Sequence, residues 1–198
     1  KASGVFNYAQ GVMALFAALT LVGVMENFGV SAWVAIPATM AMMILVAYLV
    51  DYFILRHLVN EPPIILFMAT IGLAYVLEGV GDIMWGSDVK VLDIGLPQGA
   101  NDFLLDNHNI YIENLEIVAA IVAAVMVVVL AVFFQKTRIG RALRAVADDH
   151  QAAMSIGISL RGIWRIVWSV SGFVALVAGI MWGSKSGVQF SLSLIALK

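Results

Sequence analysis

Five long apolar runs, each about as long as a membrane-spanning helix, constrain the fold of this chain more than any other feature of its sequence. A helix rises about 1.5 Å per residue, so about 20 apolar residues cross the hydrocarbon core of a bilayer. Lipid offers no hydrogen-bond partner to an open backbone, so such runs must be helical. The runs predict spanning helices at 5–25, 32–55, 63–85, 115–134 and 163–182.

Composition supports a membrane protein. Hydrophobic residues make up 62% of the 198 residues and charged residues 12%, whereas soluble domains carry about a quarter charged residues. The alternating ten-residue strands of a membrane β-barrel are missing from the pattern. The predicted fold class is therefore all-α: a polytopic helical membrane protein. The net charge of −2 gives no basic field that would attract nucleic acid, and the absence of cysteine excludes disulfides and thiolate metal sites.

The two ends of the chain predict a longer protein. Lys1 is not an initiator methionine, and the last residue follows an apolar stretch at 191–197 that is too short to span and resembles the opening of a sixth helix. We therefore expect one transmembrane domain over 1–198, truncated at both ends. Several separate apolar runs also exclude a single cleavable signal peptide as their explanation.

Basic residues in the loops predict the orientation. Six of the eleven Lys and Arg residues lie in or beside the loop after the fourth run, whereas the loop at 86–114 has one basic residue and five acidic ones. Loops rich in Lys and Arg face the cytoplasm. The amino end, Arg56 and the basic loop are predicted to be cytoplasmic, and the acidic loop is predicted to lie outside.

The basic loop at 137–162 has the pattern of an amphipathic helix too polar to span. Its polar residues recur every three or four positions, and apolar residues such as Leu143 and Val146 occupy the other face. Two interpretations stay open from this pattern: a helix lying on anionic lipid, or a helix that docks in a groove of a cytoplasmic partner.

The same loop resembles a known family. Gln151, Ala152 and Ala153, followed by Gly157, are similar to the Glu-Ala-Ala-x-x-x-Gly core of the coupling loop in permeases of ATP-binding-cassette importers. Gln151 replaces the acidic residue, and the Leu-Pro pair that the family has further on is missing. Three further segments resemble the branched-chain amino acid permeases of that superfamily, in the family's order: NYAQG at 7–11, ATIGL at 69–73 and TRIGRALRA at 137–145.

This resemblance implies a permease subunit that moves branched-chain amino acids across the bacterial inner (plasma) membrane as a multi-pass protein. It implies a second permease subunit, homologous or identical, two cytoplasmic ATP-binding subunits and a periplasmic solute-binding protein, with no cofactor of its own. Because the chain has no P-loop, ATP would be hydrolysed by another subunit, and the chain itself is expected not to be an enzyme. The residues assigned by resemblance to the coupling loop are Arg141, Arg144, Asp148, Asp149, Gln151, Ala152, Ala153 and Gly157.

Glu78 is the main ionisable residue inside a predicted span, and Asp82 follows one turn later on the same face. A charge at that depth usually faces a cavity or a partner. The candidates for a solute path are Asn7, Gln10, Thr70 and Glu78. Each has a structural alternative: Glu78 as a protonated or hydrogen-bonded packing contact, and Asn7 and Gln10 as the polar groups of a broken helix start.

Three alternatives to a branched-chain amino acid importer stay open at this point. Related permeases of the superfamily carry urea or short amides. An ion-coupled secondary carrier would bind a proton or cation at Glu78 and Asp82. A membrane-embedded assembly protein would have no transport role.

Overall fold

A computed structural model of the chain describes residues 7–58, 61–108, 111–148 and 160–189. Within these ranges five helices are long and apolar enough to span a membrane, so the all-α polytopic prediction is confirmed. The helices are α1 (Gln10–Phe28), α2 (Ala32–Phe53), α3 (Pro63–Trp85), α4 (Asp102–His108), α5 (Asn114–Lys136), α6 (Arg138–Asp148) and α7 (Leu160–Ser186).

The third span matches its predicted bounds, but the first does not. Helix α1 begins at Gln10 rather than at residue 5, because the Asn7 side chain accepts a hydrogen bond from the Ala9 N–H at 3.0 Å and holds this segment in a turn. At its other end α1 continues to Phe28, where Gly29 adopts a left-handed φ of 61° and ends the helix. The fifth spanning helix is also longer than predicted, because α7 includes polar residues at both of its ends.

Helix α1 is the centre of the bundle. Thirteen consecutive residues, Gly11 to Gly23, are buried, and α2, α3 and α7 pack around them. Close approach depends on glycine: a Cβ on Gly179 of α7 would lie 2.5 Å from the Ala14 carbonyl oxygen, and a Cβ on Gly23 would lie 2.1 Å from the Trp85 ring. Small residues at such crossings allow helix backbones to approach closely in membranes.

The contacts give the direction of each span. Tyr8 contacts Thr70 and Gly23 contacts Trp85, so α1 and α3 are parallel. Helix α7 is also parallel to α1, whereas α2 and α5 are antiparallel to α7. The bundle therefore has a basic end and an acidic end. We define the basic end by Arg56, Lys136, α6 and the start of α7, and the acidic end by Glu26, residues 86–108 and 111–113, and the end of α7.

The described residues of the predicted acidic loop, 86–108 and 111–113, fold over the acidic end. Lys90 and Val188 exchange two backbone hydrogen bonds, at 3.1 and 2.8 Å, which join this loop to the segment after α7. Leu92 of this loop and Val188 of that segment are both buried. The loop also contains the short helix α4, which the sequence pattern did not predict; Asn101 caps it by accepting a hydrogen bond from the Leu104 N–H at 3.1 Å.

Candidate functional site

The corner between α5 and α6 is built by Thr137 and Gly140. The Thr137 hydroxyl donates to the Phe133 carbonyl at 2.7 Å, at the end of α5, and accepts from the Gly140 N–H at 2.9 Å, at the start of α6. Threonine is therefore the N-cap of α6. A Cβ on Gly140 would lie 2.3 Å from the Phe134 carbonyl oxygen, so only glycine fits there without a backbone shift. The Thr-x-x-Gly part of the sequence motif thus fixes the angle between span and surface helix.

Helix α6 is amphipathic, as predicted, and its apolar face packs on the bundle at Leu143 and Val146, whereas Ile139 at the start of that face is 40% exposed. Leu143 is 1% exposed and Val146 is 0% exposed, because both pack against the bundle, where α6 contacts α5 and α7. The opposite face carries three exposed arginines, Arg138, Arg141 and Arg144. Within the described residues none of these arginines forms an ion pair. The helix is thus anchored on one side and presents positive charge on the other.

The described structure covers only the first part of the predicted coupling loop. It places Arg141 and Arg144 on the exposed face of α6 and Asp148 at its last residue. Asp149, Gln151, Ala152, Ala153 and Gly157 lie outside the described residues. The predicted helix over this loop is therefore observed from Arg138 to Asp148.

Near the basic end, polar groups link α1 to α7. Gln10 donates from Nε2 to the Ser171 carbonyl at 3.2 Å, and the Ser171 hydroxyl donates to Gln10 Oε1 in a short hydrogen bond. Asn7 Nδ2 also donates to Gln10 Oε1, at 3.3 Å. Both amides therefore hydrogen-bond inside the bundle, at a helix start and a helix crossing.

Thr70 connects α3 to the same region. Its hydroxyl donates to the Phe67 carbonyl at 2.8 Å and accepts from the Tyr8 N–H at 3.2 Å. The side chain is buried, and it supplies a partner for a backbone N–H that precedes α1. Three of the four solute-path candidates, Asn7, Gln10 and Thr70, thus lie together around the start of α1.

Glu78 lies eight residues after Thr70 on α3, about 12 Å further along the helix. It is half-buried, and no other described residue hydrogen-bonds or pairs with its carboxyl group. Asp82 is one turn further on, and its Oδ1 is buried without a hydrogen-bond partner in the described part of the chain. Trp85, on the same side of α3, packs against Gly23 of α1. This face of α3 therefore carries two carboxyl groups one turn apart, and an oxygen of the second is buried in the bundle.

The sequence reasoning missed the buried ion pair at the basic end. Arg165 Nε of α7 donates to Asp51 Oδ2 of α2 at 2.6 Å, and the Asp51 side chain is 1% exposed. The Arg165 guanidinium also lies 5.2 Å from the centre of the Tyr48 ring. An aspartate in the last turn of an apolar span was the available signal, since a charge there needs a partner.

At the acidic end, the two lysines of the described residues are neutralised by carboxylates. Lys90 pairs with Glu26 at 2.5 Å, and Lys185 pairs with Glu116 and lies 3.9 Å from Glu113. At the basic end, only Arg165 pairs with a described acidic residue. The difference in charge between the two ends is therefore larger in the structure than in the loop counts, because the lysines at the acidic end are neutralised by ion pairs.

These features define a class: a multi-span helical membrane protein with a basic surface helix anchored at one end of the bundle. The family model for the permease component of branched-chain amino acid transport systems matches residues 1–196. The chain belongs to this family.

The individual relatives are named as transport permeases, two of them for branched-chain amino acids. The high-affinity branched-chain amino acid transport system permease protein LivH of Salmonella typhimurium is 23% identical over 197 residues, covering 93% of this chain and 63% of its own length. The protein named "Probable branched-chain amino acid transport permease protein LivH" of Methanocaldococcus jannaschii is 27% identical, covering 87% of this chain and 55% of its own length. A third relative, the fructose import permease protein FruG of Bifidobacterium longum, is 27% identical and covers 61% of this chain. No solved structure matches.

Proposed function

We propose that this chain is part of a permease subunit that carries branched-chain amino acids across a bacterial inner membrane, in an importer driven by separate ATP-binding subunits. The observation that carries the proposal is family membership over residues 1–196. The chain spans about 63% of the length of the LivH relative from Salmonella, so activity and partners of the whole protein are part of the proposal. The chain contributes a pathway and a docking surface; chemistry on ATP belongs to the other subunits.

The anchored helix α6 supports the coupling part of this proposal. If α6 lay on lipid as an isolated amphipathic helix, its apolar face would enter the bilayer. Leu143 and Val146 instead pack on the bundle, which leaves the arginine face for a partner. A push on α6 would pass through the Thr137–Gly140 corner into α5 and through the buried contacts into α7. The coupling loop at 137–162 would thereby transmit closure of the two ATP-binding subunits to the spans of a single permease domain.

The other partners follow from the two ends of the bundle. With the basic end in the cytoplasm, the acidic end and its folded loop would face the periplasm and a solute-binding protein. A second permease subunit, homologous or identical, would complete the pathway. Glu78 would line that pathway, while Asn7, Gln10 and Thr70 would hold the start of α1 beside it.

An ion-coupled carrier is a second candidate, favoured by one observation. Glu78 and Asp82 are one turn apart on α3, and no described cation pairs with either of them. Paired intramembrane carboxyl groups are typical of proton and cation sites. Uptake into proteoliposomes separates the two candidates: an importer of the proposed class requires ATP and its ATP-binding subunits, whereas a carrier requires only an ion gradient.

The coupling proposal is tested with Ala153→Trp, because a bulky ring at this small residue of the family motif would block close approach of a partner. Overpacking a tight contact costs about 1–3 kcal/mol, which corresponds to roughly a five- to 150-fold weaker association. We expect loss of both co-purified ATP-binding subunit and ATP-driven uptake of leucine. Val128→Trp, on an exposed face of α5, is the control for an added ring. Wild-type association and uptake in Ala153→Trp would refute the docking model.

A further inference from the structure

Helix α5 is loosely attached to the rest of the bundle. Only Leu115 is buried among its 23 residues, and the middle of the helix is exposed along its length. Clefts separate α5 from α7 where two packed helices would normally interdigitate.

Three clefts follow one another along the seam between α5 and α7. The first, about 440 Å³, lies at the acidic end and includes Lys185; the second, about 230 Å³, shares Val122, Met126 and Val177 with it. The third, about 370 Å³, lies at the basic end and shares Val129 and Phe173 with the second. From Arg165 to Lys185 the seam follows 20 residue steps of α7, or about 30 Å, which is about the thickness of the hydrocarbon core.

The two ends of the seam differ in charge. At the acidic end, Lys185 is neutralised by Glu116 and Glu113. At the basic end, Arg165 lines the cleft together with Ser169, and its side chain is 46% exposed although Nε binds Asp51. Its remaining guanidinium N–H groups have no acceptor among the described residues. Lys136 follows Phe133 by three residues on the same side of α5, is exposed, and has no described ion-pair partner.

We propose that the basic half of this seam is a binding site for an anionic phospholipid. The acyl chain lies in the apolar cleft between α5 and α7, against Val129, Val170 and Phe173. The phosphate lies at the mouth, where the planar Arg165 fork and the Lys136 ammonium donate hydrogen bonds to its oxygens. Basic pockets between spans at the cytoplasmic side are known to suit anionic head groups.

The charge at the mouth selects this occupant over others. An apolar helix or a second copy of the chain would cover the apolar walls, but it would leave Lys136 without a counter-charge and the Arg165 N–H groups that do not bind Asp51 without an acceptor. A free phosphate would pair with the cations but would leave the cleft unfilled. A phospholipid supplies the anion and the apolar tail in one molecule, at the correct depth in the bilayer.

The first test removes room for the tail without a change of charge. Val129 lines the cleft, whereas the neighbouring Val128 is equally exposed but lines none of the three clefts. The purified protein is titrated with phosphatidylglycerol or phosphatidylcholine, and bound lipid is counted by native mass spectrometry. We expect one preferentially retained phosphatidylglycerol in the wild type and in Val128→Trp, and its loss in Val129→Trp. Equal retention in Val129→Trp would overturn the proposal.

The second test removes the head-group contact. Lys136→Gln should weaken phosphatidylglycerol binding about tenfold or more, the effect of one lost charge-assisted hydrogen bond. Arg56→Gln, which removes a cation at the same end of the bundle but not at the cleft, should have no effect. Inorganic phosphate should not displace the lipid; displacement would assign the site to a free anion. In this cysteine-free chain, a disulfide-linked dimer of Val129→Cys in membranes would show that a second copy fills the seam and would also overturn the proposal.

Discussion

Asp51 on α2 and Arg165 on α7 form an ion pair, at 2.6 Å, that is buried on one side only: the Asp51 side chain is 1% exposed and that of Arg165 is 46% exposed. The aspartate depends on the arginine because no other described group satisfies its charge, and its Oδ1 has no hydrogen-bond partner in the described part of the chain. The arginine can find water or lipid phosphate instead.

This asymmetry predicts unequal effects of the two single substitutions. Arg165→Ala leaves a buried carboxylate without a partner and should lower Tm by about 6–20 °C, as expected for one lost partner of a buried pair in a chain of this size. Asp51→Ala leaves an arginine that can still be solvated and should lower Tm less. The double variant should be closer to Asp51→Ala than to Arg165→Ala. Thermal unfolding in detergent measures all three, and equal effects of the two single substitutions would contradict the one-sided burial.

The Thr137–Gly140 corner predicts a position-specific effect of alanine. Gly140→Ala places a Cβ 2.3 Å from the Phe134 carbonyl oxygen, so the corner must open and the start of α6 must move away from the end of α5. We expect membrane insertion to persist while ATP-driven uptake falls at least about tenfold, through misplacement of a docking helix. Gly72→Ala is the matched control, because nothing lies within 4 Å of a Cβ there. Similar uptake in the two variants would argue against a rigid corner.

We expect substitution of Glu78 to change transport but not folding. It has no hydrogen-bond or ion-pair partner in the described residues, so Glu78→Gln removes no contact of the bundle but changes the charge that a pathway would present. We expect an altered uptake rate with normal expression and insertion. The control is Glu26→Gln. It makes the same change from carboxylate to amide at the acidic end, where Glu26 pairs with Lys90. If uptake by Glu78→Gln equals the wild type from about pH 5 to pH 8, Glu78 has a packing role only.

The orientation is tested by labelling, because the chain has no cysteine of its own. Gln98 lies in the loop over the acidic end, and Arg144 lies on the exposed face of α6. The two single variants Gln98→Cys and Arg144→Cys each provide one thiol. In intact spheroplasts, an impermeant thiol reagent should label position 98, and position 144 should react only after the membrane is opened. The reverse pattern would place the basic end outside.

The motif residues show how far sequence reasoning extended. Thr137 and Gly140 were found by resemblance. Their structural roles, a helix cap for Thr137 and a close backbone contact for Gly140, depend on carbonyl oxygens of the preceding helix. The first span was predicted to start five residues too early. A count of apolar residues carries no information on a single hydrogen bond such as the one from the Ala9 N–H to the Asn7 side chain. The bonds between Gln10 and Ser171 join residues 161 positions apart and have no local signal.

By itself, the sequence determined the number of spans and their approximate positions, the fold class, the family and the two differently charged ends. It could do so because a bilayer imposes length and apolarity on each segment separately, whatever its neighbours are. Only the tertiary structure decided which helix lies at the centre and that Asp51 pairs with Arg165. It also decided that Leu143 and Val146 of α6 are buried on the bundle, and that clefts separate α5 from α7. These features depend on the fit of side chains between distant segments. In lipid that fit comes from shape and hydrogen bonding rather than from hydrophobicity, and so the apolar pattern does not contain it.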